Sequence, residues 1–420
     1  MIRQIFAGVA LMAAFAAHGE TLAEAWQLAL AHDGALAAAR LDTEAAQLES
    51  AAARATRWPT LTASGSFVQF GAAPRLGVTE LVDHDNTLTG GLMLNMPLYT
   101  GGRISNTIGA SAAGQRAREA DETRAVQDTR LAVAQAYAEV LHAGRALAVA
   151  DANVASLAGY RDEVASMFGR ELVPRNDLLA ADVALANARQ TRIRTANAVQ
   201  LARAGYNRRL GQPLDREAVL EPRLPPLAGD IGHEGVEPLI VRALALRGEL
   251  GALEAQASAA GHLARAELAR VRPQVSLGGG YSYLENSVLD REQFAVATLG
   301  VSWALFDGGA ARRKSASLRR TQRALEMRRA DLESLVALEV REAWLGLHEA
   351  RSRVDATAGA VTQAEENLRI TRLQYLAGLV TTTRVLEAES LRTVSRGNHD
   401  DAELDADLAV YRLARAVGEL

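Results

Sequence analysis

Two long stretches of the chain contain no proline, and their length constrains the fold more than any other feature. The ten prolines leave residues 98–173 and 274–420 without this residue. Proline inside an α-helix removes a hydrogen bond and clashes with the preceding turn, so it kinks or ends the helix. Stretches of this length therefore allow helices much longer than the mean of about 11–12 residues. The sequence predicts very long helices instead of several compact domains.

The composition favours helices that pack closely without a thick core. Of the 420 residues, 49% are hydrophobic by class but only 5% are aromatic, and much of the hydrophobic fraction is alanine. Alanine is the strongest helix former and lets neighbouring helices approach closely. The absence of cysteine excludes disulfides, thiolate metal sites and a lipid-anchored N-terminal cysteine. The net charge of −4 gives no electrostatic reason to bind nucleic acid.

The first residues have the pattern of a secretory signal peptide. Arg3 precedes an apolar run from Ile5 to Ala17, and small residues follow the run. We assign residues 1–19 to this peptide, so the mature protein is expected to be exported. No later segment has the roughly 18 consecutive apolar residues that a transmembrane helix needs. Insertion of the mature chain in a membrane would then require a β-barrel.

The chain contains an internal duplication. Leu98–Gly102 and Leu305–Gly309 are similar segments that lie 207 residues apart, and Leu172–Val173 matches Leu379–Val380 at the same offset. Upstream, Pro59 matches Pro273 at an offset of 214. An offset that holds over so long a stretch indicates two similar structural repeats. The predicted division is a first repeat at 20–211, an equatorial linker at 212–234 and a second repeat at 235–420.

Each repeat is predicted to contain the same series of elements. A leading helix ends before Pro59 or Pro273, two strands with alternating polar and apolar residues follow, and a long helix and a shorter return helix complete the repeat. At a rise of 1.5 Å per residue, each long helix spans about 100 Å, which matches the two shorter helices placed end to end. The predicted strands are 60–70, 87–98, 274–283 and 294–306, and the predicted helices after them are 102–168, 175–210, 309–376 and 382–418.

The number of strands in one chain constrains the number of chains that could form a closed barrel. One chain supplies four strands, which cannot close into a barrel, and an open strand edge is not tolerated in lipid. Two copies would give eight strands and an interior filled by side chains, whereas three would give twelve strands around a lumen. Threonine, serine, asparagine and glycine on one strand face suit a wet interior. The strands therefore favour a trimer.

In the order and duplication of these motifs the chain resembles the TolC-like outer-membrane efflux proteins. The resemblance covers essentially all of the mature chain and rests on Leu98–Gly102, Leu305–Gly309, the helix lengths and the hairpin tips at Leu172–Asp177 and Gly378–Leu386. It implies a mixed α and β, mainly α fold, in which long antiparallel helical hairpins form an α-barrel tunnel. It also implies a homotrimer whose strands, four from each protomer, form a twelve-stranded transmembrane β-barrel.

The resemblance further implies a location and partners. The protein would lie in the outer membrane, in contact with its lipid, and extend far into the periplasm. It would serve as the exit duct of a tripartite efflux or type I secretion system, joined by a periplasmic adaptor (membrane fusion) protein to an inner-membrane pump of the RND, ABC or MFS type. Such a duct is not an enzyme. A periplasmic coiled-coil scaffold or adaptor without a membrane barrel is the alternative.

The resemblance also assigns roles to the hairpin tips. Leu172, Val173, Gly378, Leu379 and Val380 match the tip pattern that contacts the adaptor in this family, with Glu171 at the position equivalent to Gly378. An exposed apolar tip is costly unless a partner covers it. The alternative is that these residues only form the turn and that the apolar pair packs internally.

Residues just after the tips match the family's periplasmic gate. Asp177 occupies one gate position, and Arg384 stands where the family often has an aspartate, while Glu387 keeps an acid nearby. We hypothesise that Arg384 pairs with Asp177 or Glu387 of neighbouring helices. Ordinary surface charges are the alternative.

One acidic segment and several absences complete the sequence analysis. The run from Asp400 to Asp407 would favour cations if it lined a tunnel, although such runs are more often solvated outer faces. The histidines show no metal-ligand spacing, and no nucleotide-binding or serine-nucleophile motif occurs. We therefore expect no catalytic residues, no cofactor and no metal.

Overall fold

The computed structural model describes residues 19–82, 85–227, 231–286, 288 and 290–420. Apart from Gly19, the predicted signal peptide lies outside these residues. The chain divides into two compact units. Unit 1 contains the residues up to Ala38, Thr123–Gly248 and Glu333–Leu420, and unit 2 contains Ala39–Glu122 and Glu249–Leu332.

The fold is mainly helical with few strands, which confirms the predicted fold class. None of the helices within the described ranges is long and apolar enough to cross a membrane. The first repeat contains α1 (Leu22–His32), α2 (Gly34–Ala55), β1 (Thr60–Gln69), β2 (Arg75–Leu76), β3 (Thr79–Glu80), β4 (Asn86–Tyr99), α3 (Arg103–Phe168) and α4 (Arg175–Arg209). The second contains α5 (Val236–Leu246), α6 (Gly248–Ala269), β5 (Gln274–Leu284), β6 (Gln293–Ser302), α7 (Ala310–Leu376) and α8 (Thr382–Val417).

The prediction of one leading helix in each repeat is wrong, because each is divided in two. Asp33 and Arg247, which lie 214 residues apart, adopt extended backbone conformations between the two helices. The Asp33 carboxylate accepts the backbone N–H of Leu36 at 2.9 Å and so caps the start of α2. The Arg247 side chain is buried, donates to the Ala416 carbonyl at 3.1 Å and pairs with Glu339 at 2.8 Å. A local cap therefore stabilises the break at Asp33, and contacts with distant residues stabilise the break at Arg247.

A residue at or next to the start of each repeat accepts a hydrogen bond from an aromatic side chain of a long helix. The Tyr137 hydroxyl donates to the Glu20 carbonyl at 2.9 Å, and the Trp344 indole N–H donates to the Glu234 carbonyl at 3.0 Å. Tyr137 and Trp344 are 207 residues apart, which is the offset of the duplication. Glu20 also forms a parallel bridge with Leu220, so the first repeat is joined to the linker.

Unit 2 contains a four-stranded antiparallel sheet in the order β1-β4-β5-β6. β4 pairs with β5 and so joins the two repeats. β6 ends at Ser302 instead of the predicted 306, because its last partner on β5 is Gln274, which directly follows Pro273. Among the described residues, no strand pairs with β6 beyond this point. The short β2–β3 hairpin was not anticipated from the sequence.

Glycine pairs connect the sheet to the long helices. Gly101 and Gly102 have φ values of 62° and 91°, and their equivalents Gly308 and Gly309 have 67° and 81°. These left-handed conformations strongly favour glycine. A Cβ atom on Gly101 would also lie 2.6 Å from the Cβ of Arg272, so the close approach of the end of α6 excludes a side chain there.

Candidate functional site at the hairpin tips

Both long helices end in the same hydrogen-bonded turn within unit 1. After α3, the Leu172 N–H donates to the Met167 carbonyl at 3.0 Å, and the Glu171 N–H donates to the Phe168 carbonyl at 2.9 Å. After α7, the equivalent bonds run from Leu379 to Gln374 at 2.8 Å and from Gly378 to Tyr375 at 2.9 Å. This is the Schellman pattern, which satisfies the free carbonyls at a helix end.

The Schellman turn places one residue of each tip in a left-handed conformation. Gly378 has a φ of 73°, and Glu171 occupies the equivalent position with a φ of 60°. Among the described residues, Glu171 is the only non-glycine residue with a positive φ. Such a conformation costs about 1–2 kcal/mol for a residue with a side chain. The first tip therefore carries backbone strain that the second avoids.

The apolar pair at each tip is split between solvent and the protein interior. Leu172 and Leu379 are 65% and 75% exposed. Val173 and Val380 pack against a buried cluster that includes Tyr160, and each anchors its tip. The further buried members of this cluster are Val164, Ala181, Leu368, Tyr375, Val385 and Ala388. Each tip thus exposes one leucine to solvent, on a turn that is anchored by the neighbouring valine.

Of the predicted gate residues, Asp177 joins the two hairpins. Its carboxylate accepts a hydrogen bond from the Tyr375 hydroxyl at 3.1 Å. The Tyr375 oxygen accepts in turn from Thr382 at 3.1 Å, and the Tyr160 hydroxyl donates to the same Thr382 oxygen at 3.2 Å. Burial raises the pKa of both Tyr160 and Tyr375, so both hydroxyls remain protonated at neutral pH.

The other two gate residues pair with each other on one helix. Arg384 donates to Glu387 at 3.0 Å, and the two side chains are 70% and 57% exposed. Within one chain, Arg384 therefore pairs with Glu387 on its own helix, while Asp177 is bonded to Tyr375. Pairing of Arg384 with helices of other copies stays a prediction. An exposed ion pair of this kind contributes only about 0.2–1 kcal/mol.

A buried carboxylate above the tips was missed by the sequence analysis. The Glu389 side chain is 3% exposed and lies between Arg372 at 3.3 Å and Arg392 at 2.6 Å. Arg372 also donates to the Ser156 hydroxyl at 2.6 Å and lies over the Tyr160 ring. The only signal in the sequence is Arg392 three residues after Glu389, which is common on helix surfaces.

The acidic run at 400–407 is an ion-pair network in unit 1, which neither sequence interpretation anticipated. His142 contacts Asp401 at 3.0 Å and Asp405 at 3.7 Å from its two ring nitrogens. Other basic side chains reach the run from four segments of the chain; these contacts are Arg145–Glu403, Arg223–Glu403, Arg353–Asp405 and Arg396–Asp400. Much of the acidic charge is therefore compensated within the chain.

The described ranges contain no group of three or more histidine, aspartate or glutamate side chains that could hold a metal ion.

Comparisons with known proteins match the chain over most of its length. A family model described as outer membrane efflux protein matches residues 25–212 and 239–419. The outer membrane efflux protein BepC of Brucella suis is 25% identical over 418 residues, covering 96% of this chain and 87% of that protein.

Solved structures share the fold. The outer-membrane channel OprN superimposes with a TM-score of 0.82 at 21% identity, covering 95% of this chain and 90% of that chain. The outer membrane protein VceC of Vibrio cholerae gives a TM-score of 0.83 at 19% identity, covering 94% of this chain and 96% of that chain.

The buried carboxylate yields a prediction about stability. Glu389→Gln removes the charge that compensates Arg372 and Arg392, and we expect it to lower stability by about 1–3 kcal/mol because two partly buried guanidinium groups lose their charged hydrogen-bond partner. Glu387→Gln is the matched control, since Glu387 is exposed and pairs with the exposed Arg384. We expect a change below about 1 kcal/mol for the control. Thermal unfolding of both purified variants checks this, and equal melting temperatures would contradict it.

Proposed function

Because the chain belongs to the outer membrane efflux protein family, we propose that it forms the exit duct of a tripartite efflux or type I secretion system. Substrates would pass from an inner-membrane pump of the RND, ABC or MFS type, through a periplasmic adaptor, into the duct and across the outer membrane. The duct would be a homotrimer with a long periplasmic extension, built from the repeats at 20–211 and 235–420 and the equatorial linker at 212–234. The observation that supports this best is the open sheet of unit 2.

The sheet has two free edges and an uncovered apolar face. β1 and β6 are the edge strands and have one partner each. On β1, Leu61 and Phe67 are 69% and 64% exposed, and on β6, Leu299 and Val301 are 67% and 69% exposed. Unpaired strand edges are excluded from lipid, so insertion requires β6 of one copy to pair with β1 of the next. Three copies would close a sheet of twelve strands around a lumen.

The opposite face of the sheet suits a water-filled lumen. Thr60, Thr62, Ser64 and Ser66 alternate with the apolar residues of β1 and are all exposed. Their partners on β4 include Asn95 and Thr89. Hydroxyl and amide groups can be hydrated, whereas the apolar face meets lipid. One polar and one apolar face is the alternation expected of strands that separate water from a membrane.

The free face of α2 also supports assembly from several copies. Thr43 and Ser50 are buried, and the Thr43 hydroxyl lies against the α3 carbonyl of Arg118. On another face, Leu41 and Leu48 are 64% and 72% exposed. Residues seven apart lie on one face of a helix, so these leucines form a second seam that a helix of another copy would cover.

A periplasmic scaffold or adaptor without membrane contact is the alternative function. It would leave the apolar face of the four-stranded sheet exposed to water, and patches of this size are costly in soluble proteins. The sheet therefore favours the membrane duct.

Assembly and location provide the first test. We expect the full-length protein to sediment with outer membranes and to migrate as a heat-dissociable trimer, because pairing of β1 with β6 closes the sheet. Ala63→Arg, near the middle of the apolar face of β1, should reduce membrane-inserted trimer, since an arginine at the bilayer midplane on a lipid-facing strand costs about 2–4 kcal/mol. Ser64→Arg on the polar face is the control and should be tolerated. Recovery of the wild-type protein in the soluble periplasmic fraction would refute the duct.

The exposed tip leucines support contact with an adaptor. Leu172 and Leu379 stand on rigid turns, while Val173, Val380 and Gly378 hold those turns in place. We propose that both tips seat against the adaptor, which covers the two leucines. An exposed leucine on a rigid turn loses little conformational freedom when it is buried by a partner.

Photo-cross-linking in living cells tests the tip contact. A photoreactive phenylalanine analogue in place of Leu379 should form covalent adducts with a periplasmic adaptor, identified by mass spectrometry, because Leu379 is 75% exposed at the tip. The same analogue in place of Val219, which is 72% exposed in the linker, is the control and should give no such adduct. Adducts from Leu379 with other copies of this chain alone would contradict adaptor contact.

We also propose that Asp177, Arg384 and Glu387 form the periplasmic gate. The bond from Tyr375 to Asp177 holds the two hairpins of one chain together, and the exposed Arg384–Glu387 pair places both signs of charge just beyond the second tip. In a trimer these groups would recur three times around the entrance. Contacts of about 1 kcal/mol each would permit opening when an adaptor binds.

A charge swap tests the gate. Arg384→Glu places like charges beside each other at positions 384 and 387, and we expect it to raise closed-state conductance about twofold to fivefold, the ratio that corresponds to ~0.4–1 kcal/mol. The double variant Arg384→Glu/Glu387→Arg restores the pair and should return to the wild-type value. The measurement is single-channel conductance in planar bilayers at low and high salt. Identical closed-state conductance in all three proteins would show that the pair is not part of the gate.

A further inference from the structure

The four connections between the sheet and the helices α2, α3, α6 and α7 lie at one end of the sheet. The start of β1 pairs with the end of β4, as in Thr60 with Asn95. The end of β4 pairs with the start of β5, as in Tyr99 with Val275, and Gln274 pairs with Ser302 at the end of β6. The residues between each strand and its neighbouring helix are therefore brought together, although they come from distant parts of the chain.

Exposed aromatic residues mark this end of the sheet. Trp58 precedes β1 and is 71% exposed, and Tyr99 ends β4 and is 54% exposed. Trp303 and Phe306 follow β6 and are 59% and 89% exposed. Tryptophan and tyrosine are enriched where a membrane meets water, because the ring is apolar and its polar atom remains hydrated. Their position indicates the level of a membrane interface.

Basic side chains follow immediately on the helical side of these aromatic residues. The nearby acids are Glu267, which pairs with Arg270, and Asp307, which accepts the N–H groups of Gly309 and Ala311. We name the basic group the basic collar; it consists of Arg54, Arg57, Arg103, Arg270, Arg272, Arg312, Arg313 and Lys314.

Some side chains of the basic collar make hydrogen bonds or ion pairs within the protein, and others make none within the described residues. Arg272 donates to the Gly101 carbonyl at 2.9 Å, and Arg103 donates to Gln274 at 3.4 Å, so these two stabilise the connections. Arg54 and Arg57 at the end of α2 are exposed and make no side-chain hydrogen bond or ion pair within the described part of the chain. The same holds for Arg312, Arg313 and Lys314 at the start of α7.

The three adjacent basic residues belong to the second repeat alone. At the offset of 207, the positions of Arg312, Arg313 and Lys314 correspond to Ser105, Asn106 and Thr107 at the start of α3. Lys314 is also the only lysine of the chain. The duplication therefore does not require basic residues here. The positive charges at the start of α7 make no ion pair within the described residues.

We infer that the basic collar binds the headgroups of anionic phospholipids in the membrane leaflet that meets this end of the sheet. The inference rests on the proposed function, since it requires the sheet to be embedded in a bilayer. Guanidinium groups bind phosphate oxygens bidentately, and basic residues close to a membrane surface attract anionic lipid. From the sheet towards the helices, the aromatic residues come first and the basic collar follows. From its centre outwards, a bilayer has the same order, with hydrocarbon and interface first and phosphate groups next.

Lipid retention tests this inference with the full-length protein. The protein is extracted in detergent and equilibrated with detergent micelles that contain equal amounts of phosphatidylethanolamine and phosphatidylglycerol. It is then separated from free lipid and analysed for bound lipid by mass spectrometry. We expect wild-type protein to retain phosphatidylglycerol preferentially. The triple variant Arg312→Gln/Arg313→Gln/Lys314→Gln should lower the ratio of phosphatidylglycerol to phosphatidylethanolamine at least about fivefold, the attraction expected of one basic side chain at a membrane surface.

A matched variant controls for overall charge. Arg189→Gln/Arg194→Gln/Arg208→Gln removes the same three charges from exposed positions on α4 in unit 1 and should leave the retained ratio unchanged. The variant Arg312→Lys/Arg313→Lys keeps the positive charge and should retain most of the preference. Equal ratios in wild type and the collar triple variant, or an equal loss in the α4 variant, would overturn the inference.

Fractionation of the same proteins separates the two proposals. Wild-type protein and both triple variants should sediment with outer membranes as trimers, because none of the substituted side chains has a partner within the described ranges. A soluble wild-type protein would refute the duct itself. A membrane-embedded trimer without preference for phosphatidylglycerol would leave the duct in place and refute only the lipid site.

Discussion

The antiparallel pairing of β4 with β5 is the interaction on which the arrangement of unit 2 depends. It connects strands from the two repeats and extends from Thr89–Leu284 to Tyr99–Val275. Because β1 pairs with β4 and β6 with β5, this one contact fixes the order of all four strands. It also brings the four helix connections to the same end of the sheet. The free edges, the aromatic residues and the basic collar all follow from it.

At the hairpin tips of unit 1, one turn motif fixes both which residue must be left-handed and which apolar residue is exposed. The Schellman turn requires a left-handed residue, so Gly378 fits without strain whereas Glu171 does not. The turn also points two consecutive apolar residues in different directions. Val173 and Val380 pack inside, and Leu172 and Leu379 remain in solvent. Internal packing therefore describes the two valines, whereas the two leucines are exposed and available for the proposed contact with a partner.

Sequence patterns anticipated the fold class because long helices and amphipathic strands leave strong local signals, namely the absence of proline and the alternation of polar and apolar residues. The breaks at Asp33 and Arg247 escaped notice because partners remote in the sequence stabilise the Arg247 break, and Asp33 acts through a single local cap. Likewise, β6 ends early because its partner strand ends. Among the candidate site residues, the positions of the tips were evident from the duplication, but their exposure was not.

The sequence by itself determined the two repeats, the mainly helical fold and the presence of four long strands, because each of these depends on interactions between residues close in the chain or on a regular offset. The tertiary structure decided which charges are compensated. His142 and Arg353 meet the acidic run, Tyr375 meets Asp177, and Glu389 lies buried between two arginines. Apart from Arg392, which follows Glu389 on the same helix, these partners are distant in sequence. The packing of helices against one another brings them within hydrogen-bonding distance.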